Sequence, residues 1–164
     1  MRKRILTGLL ILFSIGLNAQ SKWYFEPTTG VSYTYLDGKY RTSTDFRLTI
    51  GYALGKNSPY RADMRFGYMT FSDYDNVFTT ALLGTYAKEF TKSRKVLFSA
   101  SAGAGLKKVE NDKNFSAFIP VAVKTGYRVT NNFSVGAQAS MDHDLSSGGK
   151  GSSYFAGLFI GAGL

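Results

Sequence analysis

The sequence contains no cysteine, which excludes disulfide frameworks, thiolate metal sites and cysteine nucleophiles. Its one histidine, His143, leaves no histidine cluster for zinc. Three prolines are too few for a proline-rich linker, and charged residues make up only 19% of the chain. Beyond the first residues no apolar run approaches the roughly 20 residues that a membrane-spanning helix needs. What the sequence does hold is glycine (18), tyrosine (11) and phenylalanine (13). These are poor helix formers, and the aromatic ones favour strands. A length of 164 residues suits one domain.

The first residues read as an export signal. Arg2, Lys3 and Arg4 are followed by the apolar run Ile5 to Leu17 and by Asn18-Ala19-Gln20. That layout predicts a signal peptide over residues 1–19, cut after Ala19, and a mature domain over 20–164. The run is too short for a membrane anchor, and no cysteine follows the cut to carry a lipid. Cleavage takes away three basic residues and no acidic ones, which lowers the formal charge from +9 to +6. No basic stripe remains that would suit nucleic acid.

From Gln20 onward the apolar period is two, and it predicts eight strands. Phe46, Leu48, Ile50 and Tyr52 alternate with Asp45, Arg47, Thr49 and Gly51; Tyr60, Ala62, Met64, Phe66 and Tyr68 alternate with Arg61, Asp63, Arg65 and Gly67. The other six segments begin near Trp23, Phe78, Val96, Phe115, Phe133 and Tyr154 and behave alike. Neighbouring side chains on a strand point to opposite faces, so each segment has one apolar face and one polar or small face. Short polar breaks at 55–59, 91–94 and 130–132 alternate with breaks at 36–43, 72–75, 107–113 and 145–151. Antiparallel strands joined in this way form an up-and-down barrel with the second set of breaks, and the longer loops, at one rim.

Such a barrel is either soluble with an apolar interior or membrane-bound with an apolar exterior. The polar parity carries Glu26, Asp45, Arg47, Arg61, Asp63, Arg65, Lys124, Arg128 and Asp142 among many glycines and serines. Small residues opposite long ones suit a narrow lumen. Charges there must pair, because an unpaired one costs several kcal/mol. The apolar parity has aromatics near both ends. Trp23, Tyr52, Tyr60, Tyr86, Tyr127 and Phe133 fall near the short turns, and Tyr33, Tyr68 and Tyr154 near the other rim, with aliphatics between. Two aromatic girdles around an apolar band about 25 Å tall are what a bilayer selects. The fold class expected is all-β, an eight-stranded antiparallel transmembrane barrel.

On this pattern, Trp23 to Leu164 resembles the small eight-stranded outer-membrane barrels of the OmpA transmembrane-domain and OmpX type. The last segment, Tyr154 to Leu164, looks like the C-terminal strand signal that the barrel-assembly machinery reads, although that signal usually ends in an aromatic residue. The resemblance implies a Gram-negative cell outer membrane, periplasmic termini, and outer-membrane lipids and lipopolysaccharide as surroundings. It implies a structural or surface-interaction role without enzymatic activity, cofactor or metal. No peptidoglycan-binding domain is expected, so the tethering role of full-length OmpA proteins is not carried over.

Two other functions have residues that speak for them. Lipid A deacylases are barrels of this size with a histidine and a serine near the outer rim. Here the candidates are His143 and Ser146, in His143-Asp144-Leu145-Ser146. A serine nucleophile needs a base within hydrogen-bond reach and an acid to orient that base. Ser146 falls on the opposite parity from His143, and no outward acid is at hand on the last strand. The other function is a narrow channel. Arg47, Arg61, Arg65, Phe118, Lys124, Phe155 and Phe159 all fall on the inward parity. An eight-stranded barrel is just wide enough for side chains to fill it, so a plugged lumen is expected. The remaining possibility is an unidentified surface partner at the outer loops, where Lys39, Arg41, Lys108 and Lys150 are suited to phosphates.

Overall fold

A computed structural model of the chain describes residues 23–36, 38–55, 58–89, 95–145 and 151–163. The expected signal peptide over 1–19 lies outside them, as does Ser146. The described residues form eight strands: β1 (Trp23–Leu36), β2 (Lys39–Ala53), β3 (Tyr60–Phe71), β4 (Val77–Glu89), β5 (Val96–Val109), β6 (Ser116–Thr130), β7 (Phe133–Asp144) and β8 (Ser153–Gly163). Each pairs antiparallel with the next, and β8 pairs with β1 to close the barrel. Closure leaves no sheet edge, so the backbone groups can pair within the ring.

The two faces are sorted by parity. Along β2, Asp45, Arg47 and Thr49 are buried while Phe46 is 52% exposed. Val31, Leu82, Val121 and Leu158 are each at least half exposed on the outside. The exterior is therefore apolar and the interior polar, the reverse of a soluble protein.

The strands run further than the residue types suggest at the rim of the longer connections, labelled the outer rim. Residues 36–43 read as a break, yet β1 continues to Leu36, β2 starts at Lys39, and these two residues pair. The turn between them carries Gly38 at φ +81°, a left-handed conformation that glycine adopts without steric cost. Lys39, Tyr40 and Arg41, expected in a loop, are thus the first residues of β2. β5 likewise runs to Val109, through the start of the break expected at 107–113. Polar side chains such as Lys39, Arg41 and Lys107 hide a ladder that continues regardless, because pairing here needs hydrogen bonds and not an apolar face. With 14 residues in β1 and 15 in β2, the hairpin is longer than the 9–11 residues that span a bilayer, so it stands above the apolar band. Gly38→Val should cost about 1–2 kcal/mol, the penalty of a side chain in this conformation. Urea unfolding of refolded barrel is the measurement, and an unchanged midpoint would show that the turn relaxes.

Two ladders are interrupted beside a proline. Between β1 and β8 the register passes from Phe25↔Ala162 to Thr28↔Phe159, and Pro27 lies in the gap. Between β5 and β6 it passes from Ala102↔Val121 to Gly105↔Phe118, across from Pro120. Proline has no N–H to give to a neighbouring strand.

Candidate functional site: lumen and outer rim

The lumen is organised in layers along the barrel axis. At mid-height Asp45 and Arg47 on β2 meet Arg65 from β3 and Asp142 from β7. The guanidinium of Arg47 donates to Asp45 Oδ2 through Nε (3.0 Å) and Nη2 (2.7 Å) and to Ser140 Oγ through Nη1 (2.6 Å). Its Nη2 also lies 3.5 Å from Asp142 Oδ2. Arg65 crosses the lumen and donates to Asp142 Oδ1 at 2.7 Å. The same oxygen, Asp45 Oδ2, also accepts from the Ser32 hydroxyl at 2.5 Å. Phe155 lies under Arg47, its ring centre 4.0 Å from the guanidinium carbon. All four charged residues are at most 5% exposed. At that burial each charge depends on its partner, because the desolvation of an unpaired ion exceeds anything packing returns.

Nearer the short turns Lys124 on β6 reaches across to Glu26 on β1, and Tyr24 also donates to Glu26. Arg61 pairs with Asp63, which in turn accepts from Thr85 at 2.7 Å. The Arg61 guanidinium sits 4.2 Å from the centre of the Tyr24 ring. Arg128 pairs with Glu89 and is the more open of the lumen pairs, with side chains 33% and 26% exposed. Between these groups lies a cavity of about 250 Å³ that reaches the short-turn end. Small residues make room for large ones throughout: a Cβ added to Gly105 would come within 2.5 Å of the Phe118 ring, and one on Gly136 within 2.7 Å of Phe159.

The outer mouth has a different filling. Leu36, Met69, Phe71 and Val77 form a buried apolar cluster, with Tyr74 and Val109 against it. Beside it Lys107 on β5 pairs with Asp144 on β7 and donates to the Gly151 carbonyl at 2.9 Å. Neither group was anticipated from sequence, nor was Glu89 as the partner of Arg128. The signal for them was present, since the period of two continues past the expected segment ends through Met69, Phe71, Lys107 and Asp144 on the inward parity.

On the outside, Trp23, Tyr33, Tyr60, Tyr86, Tyr127 and Tyr154 are exposed, and Tyr52, Tyr68 and Phe133 are half-buried. Trp23 packs edge-on to Tyr52 (5.0 Å) and Tyr60 to Tyr86 (5.5 Å), both near the short turns. Towards the other rim Tyr68 meets Phe78, and Tyr33 stacks flat on Tyr40 at 4.7 Å.

Solved structures share this fold. Neisserial surface protein A superimposes with a TM-score of 0.72 at 13% identity, over 88% of this chain and 98% of that one. The N-terminal β-barrel domain of OprF from Pseudomonas aeruginosa gives 0.62 at 16% identity, over 87% and 97%. The chain has the fold of the small eight-stranded outer-membrane β-barrels. The attachment invasion locus protein Ail of Yersinia pestis shares that outer-membrane barrel fold, with a TM-score of 0.56 at 11% identity over 87% and 97%. A second Ail structure, in complex with the heparin analogue sucrose octasulfate, gives 0.57 at 10% identity over 85% and 95%. No family model matches the sequence, and no curated protein does.

The remaining candidates lie at the rim of the β1–β2 hairpin. His143 is exposed on β7, and its Nδ1 lies 3.1 Å from the hydroxyl of Ser152, a serine not singled out from sequence. The acids that flank it, Asp142 and Asp144, are buried on the opposite face of β7 against Arg65 and Lys107. They do not orient the imidazole. Arg41 is occupied by Asp73, to which it donates at 2.6 Å, and stands over the Tyr74 ring. Lys39 is exposed beside the hairpin tip, and Lys108 lies 5.4 Å from the Phe115 ring centre. Asn76 donates to Glu110 (2.7 Å) and Asn111 to Asp75 (2.8 Å), tying the second and third outer turns together.

Proposed function

We propose that the chain is exported by residues 1–19 and inserts residues 20–164 into a Gram-negative outer membrane as a non-enzymatic barrel. Its termini are periplasmic, and its lumen is filled by its own side chains. One observation carries this reading: ion pairs such as Arg65–Asp142 are buried inside while Val31, Leu82, Val121 and Leu158 are exposed outside. That inversion is stable only where the exterior meets hydrocarbon. The barrel-assembly machinery is the partner during biogenesis, and lipopolysaccharide surrounds the outer rim. Surface interaction falls to the β1–β2 hairpin and the tied turns beside it, a rim of mixed charge that carries Lys39, Arg41 and Lys108 as well as Asp73, Glu110 and Asp112.

Fractionation tests the reading. The protein is expected in the outer-membrane fraction, with a gel mobility that changes on boiling, because the closed ring resists detergent until heated. Recovery in the soluble periplasm without detergent would reject it. In planar bilayers the filled lumen should hold no open channel. His143→Ala should leave the cell's lipid A mass profile unchanged, and loss of a deacylated species would revive the hydrolase.

A further inference from the structure

Charge is not spread evenly along the barrel axis. The mid-lumen group balances, with Arg47 and Arg65 against Asp45 and Asp142. From there to the outer rim the sequence holds six basic and six acidic residues. The short-turn side holds nine basic residues against three acidic ones, Glu26, Asp63 and Glu89. Five of the nine, Arg61, Lys88, Lys95, Lys124 and Arg128, are among the described residues, and Lys22, Lys56, Lys92 and Arg94 are counted by sequence position alone. The formal +6 of residues 20–164 therefore belongs to the short-turn side.

A second feature coincides with this surplus. The cavity of about 250 Å³ opens at the same end. Past it the mid-lumen charges fill the barrel, and past them Leu36, Met69, Phe71 and Val77 pack the outer mouth, so the cavity ends blind. Four cations line it, Arg61, Lys88, Lys124 and Arg128, against two acids, Glu26 and Glu89. Asp63 stands behind Arg61 and still leaves the balance positive. Lys124 is committed to Glu26. The two arginines are not fully committed. Arg61 meets Asp63 through Nη2 at 3.4 Å, a long contact, and its buried Nε has no partner. Arg128 gives Nη2 to Glu89 and its side chain is 33% exposed. A guanidinium has five N–H donors, so both retain donors for a guest.

From this coincidence we infer that the cavity at the short-turn end is a binding site for a small dianionic oxyanion of the phosphate class. Guanidinium groups match such oxygens at two points at once, which a monatomic anion cannot exploit. A cleft with a surplus of one sign and walls of low dielectric concentrates the opposite ion. Size is set by the volume. About 250 Å³ lies below the roughly 300–1,000 Å³ of drug-sized sites, so the guest is one phosphate group on little or no organic body. The inference goes beyond the filled lumen proposed above. Filling is complete at mid-height and at the outer mouth, and the guest enters and leaves on the short-turn side.

The test uses the mature barrel refolded in an uncharged maltoside detergent, which carries no phosphate. Inorganic phosphate is titrated by calorimetry at a pH above its second pKa, with chloride holding the ionic strength constant. One saturable site per barrel is expected, and acetate, a monoanion, should compete weakly. Arg128→Gln should weaken binding about tenfold or more, the loss of a charge-assisted bond. Lys39→Gln makes the same charge change at the outer rim and should leave the affinity as it was. Boiling-dependent gel mobility reports whether each variant has folded. If Arg128→Gln has not, Lys88→Gln at the exposed lip of the cavity takes its place, with weaker binding again expected. Three results overturn the site. A folded barrel that shows no saturable phosphate binding leaves the cavity to water. Acetate competing as well as phosphate removes the case for a dianion. Equal weakening by Lys39→Gln shows attraction to the net charge of the molecule and not to the cavity.

Discussion

Leu48→Arg is expected to destabilise the barrel by about 2–4 kcal/mol, the cost of an arginine near the middle of the lipid face of an outer-membrane barrel. Leu48 sits on the outside of β2, paired with Pro27 on one side and Phe66 on the other, so a guanidinium there has only hydrocarbon around it. The next residue responds to different physics. Thr49 is 2% exposed and lies between Glu26 and Arg65 in register. Thr49→Arg would add a third long side chain to a filled layer, so its cost follows lumen space and charge pairing, and Thr49→Ser should be mild. Val121 and Ala122 on β6 offer the same contrast, one half exposed and the other 4% exposed. Urea unfolding of barrels refolded in lipid vesicles measures all of these. If arginine at 48 and 121 is tolerated while positions 49 and 122 accept no change, the faces are inverted and the chain is a soluble barrel with an apolar ligand space.

The second large effect is expected inside. Asp142→Ala should cost about 3–5 kcal/mol, because removing one member of a buried ionic group leaves the others uncompensated. Asp142 takes Arg65 at 2.7 Å and faces Arg47 at 3.5 Å. Among the described residues Asp142 is the hydrogen-bond partner of Arg65, whose Nε and Nη1 have none. Removing both charges with residues of similar bulk, Arg65→Met with Asp142→Leu, should recover most of the loss, as well-packed apolar groups often replace a buried pair at little cost. The double-mutant cycle isolates the pair from the effect of each change alone. A loss for Asp142→Ala no larger than about 0.5 kcal/mol, the range of ordinary surface changes, would show that the pair does not hold the lumen together.

Several features of this molecule were legible without coordinates, and the reason is geometric. A strand turns its side chains by half a revolution per residue, so parity alone assigns Arg47 to the lumen and Leu48 to the outside. The same parity would have revealed Met69, Phe71, Lys107 and Asp144 as inward residues, had the segments not been ended at the first polar stretch. Composition misled there: Lys39-Tyr40-Arg41 reads as a loop, yet it continues the ladder, because backbone hydrogen bonds do not require apolar side chains.

Hairpin connections and turn lengths, both local, set which strands are neighbours, and so the sequence by itself determined the strand number, the up-and-down order, the polar interior and the aromatic rows. Pairing across the lumen is not local. Arg65 and Asp142 are 77 positions apart, and Lys124 and Glu26 are 98 apart. Which of them meet depends on the stagger that closing the barrel imposes on each strand, a property of the whole ring. For the same reason only the tertiary structure revealed that Arg128 takes Glu89, that His143 faces Ser152, and that Pro27 falls opposite Ile160 on the seam where the chain's first and last strands join.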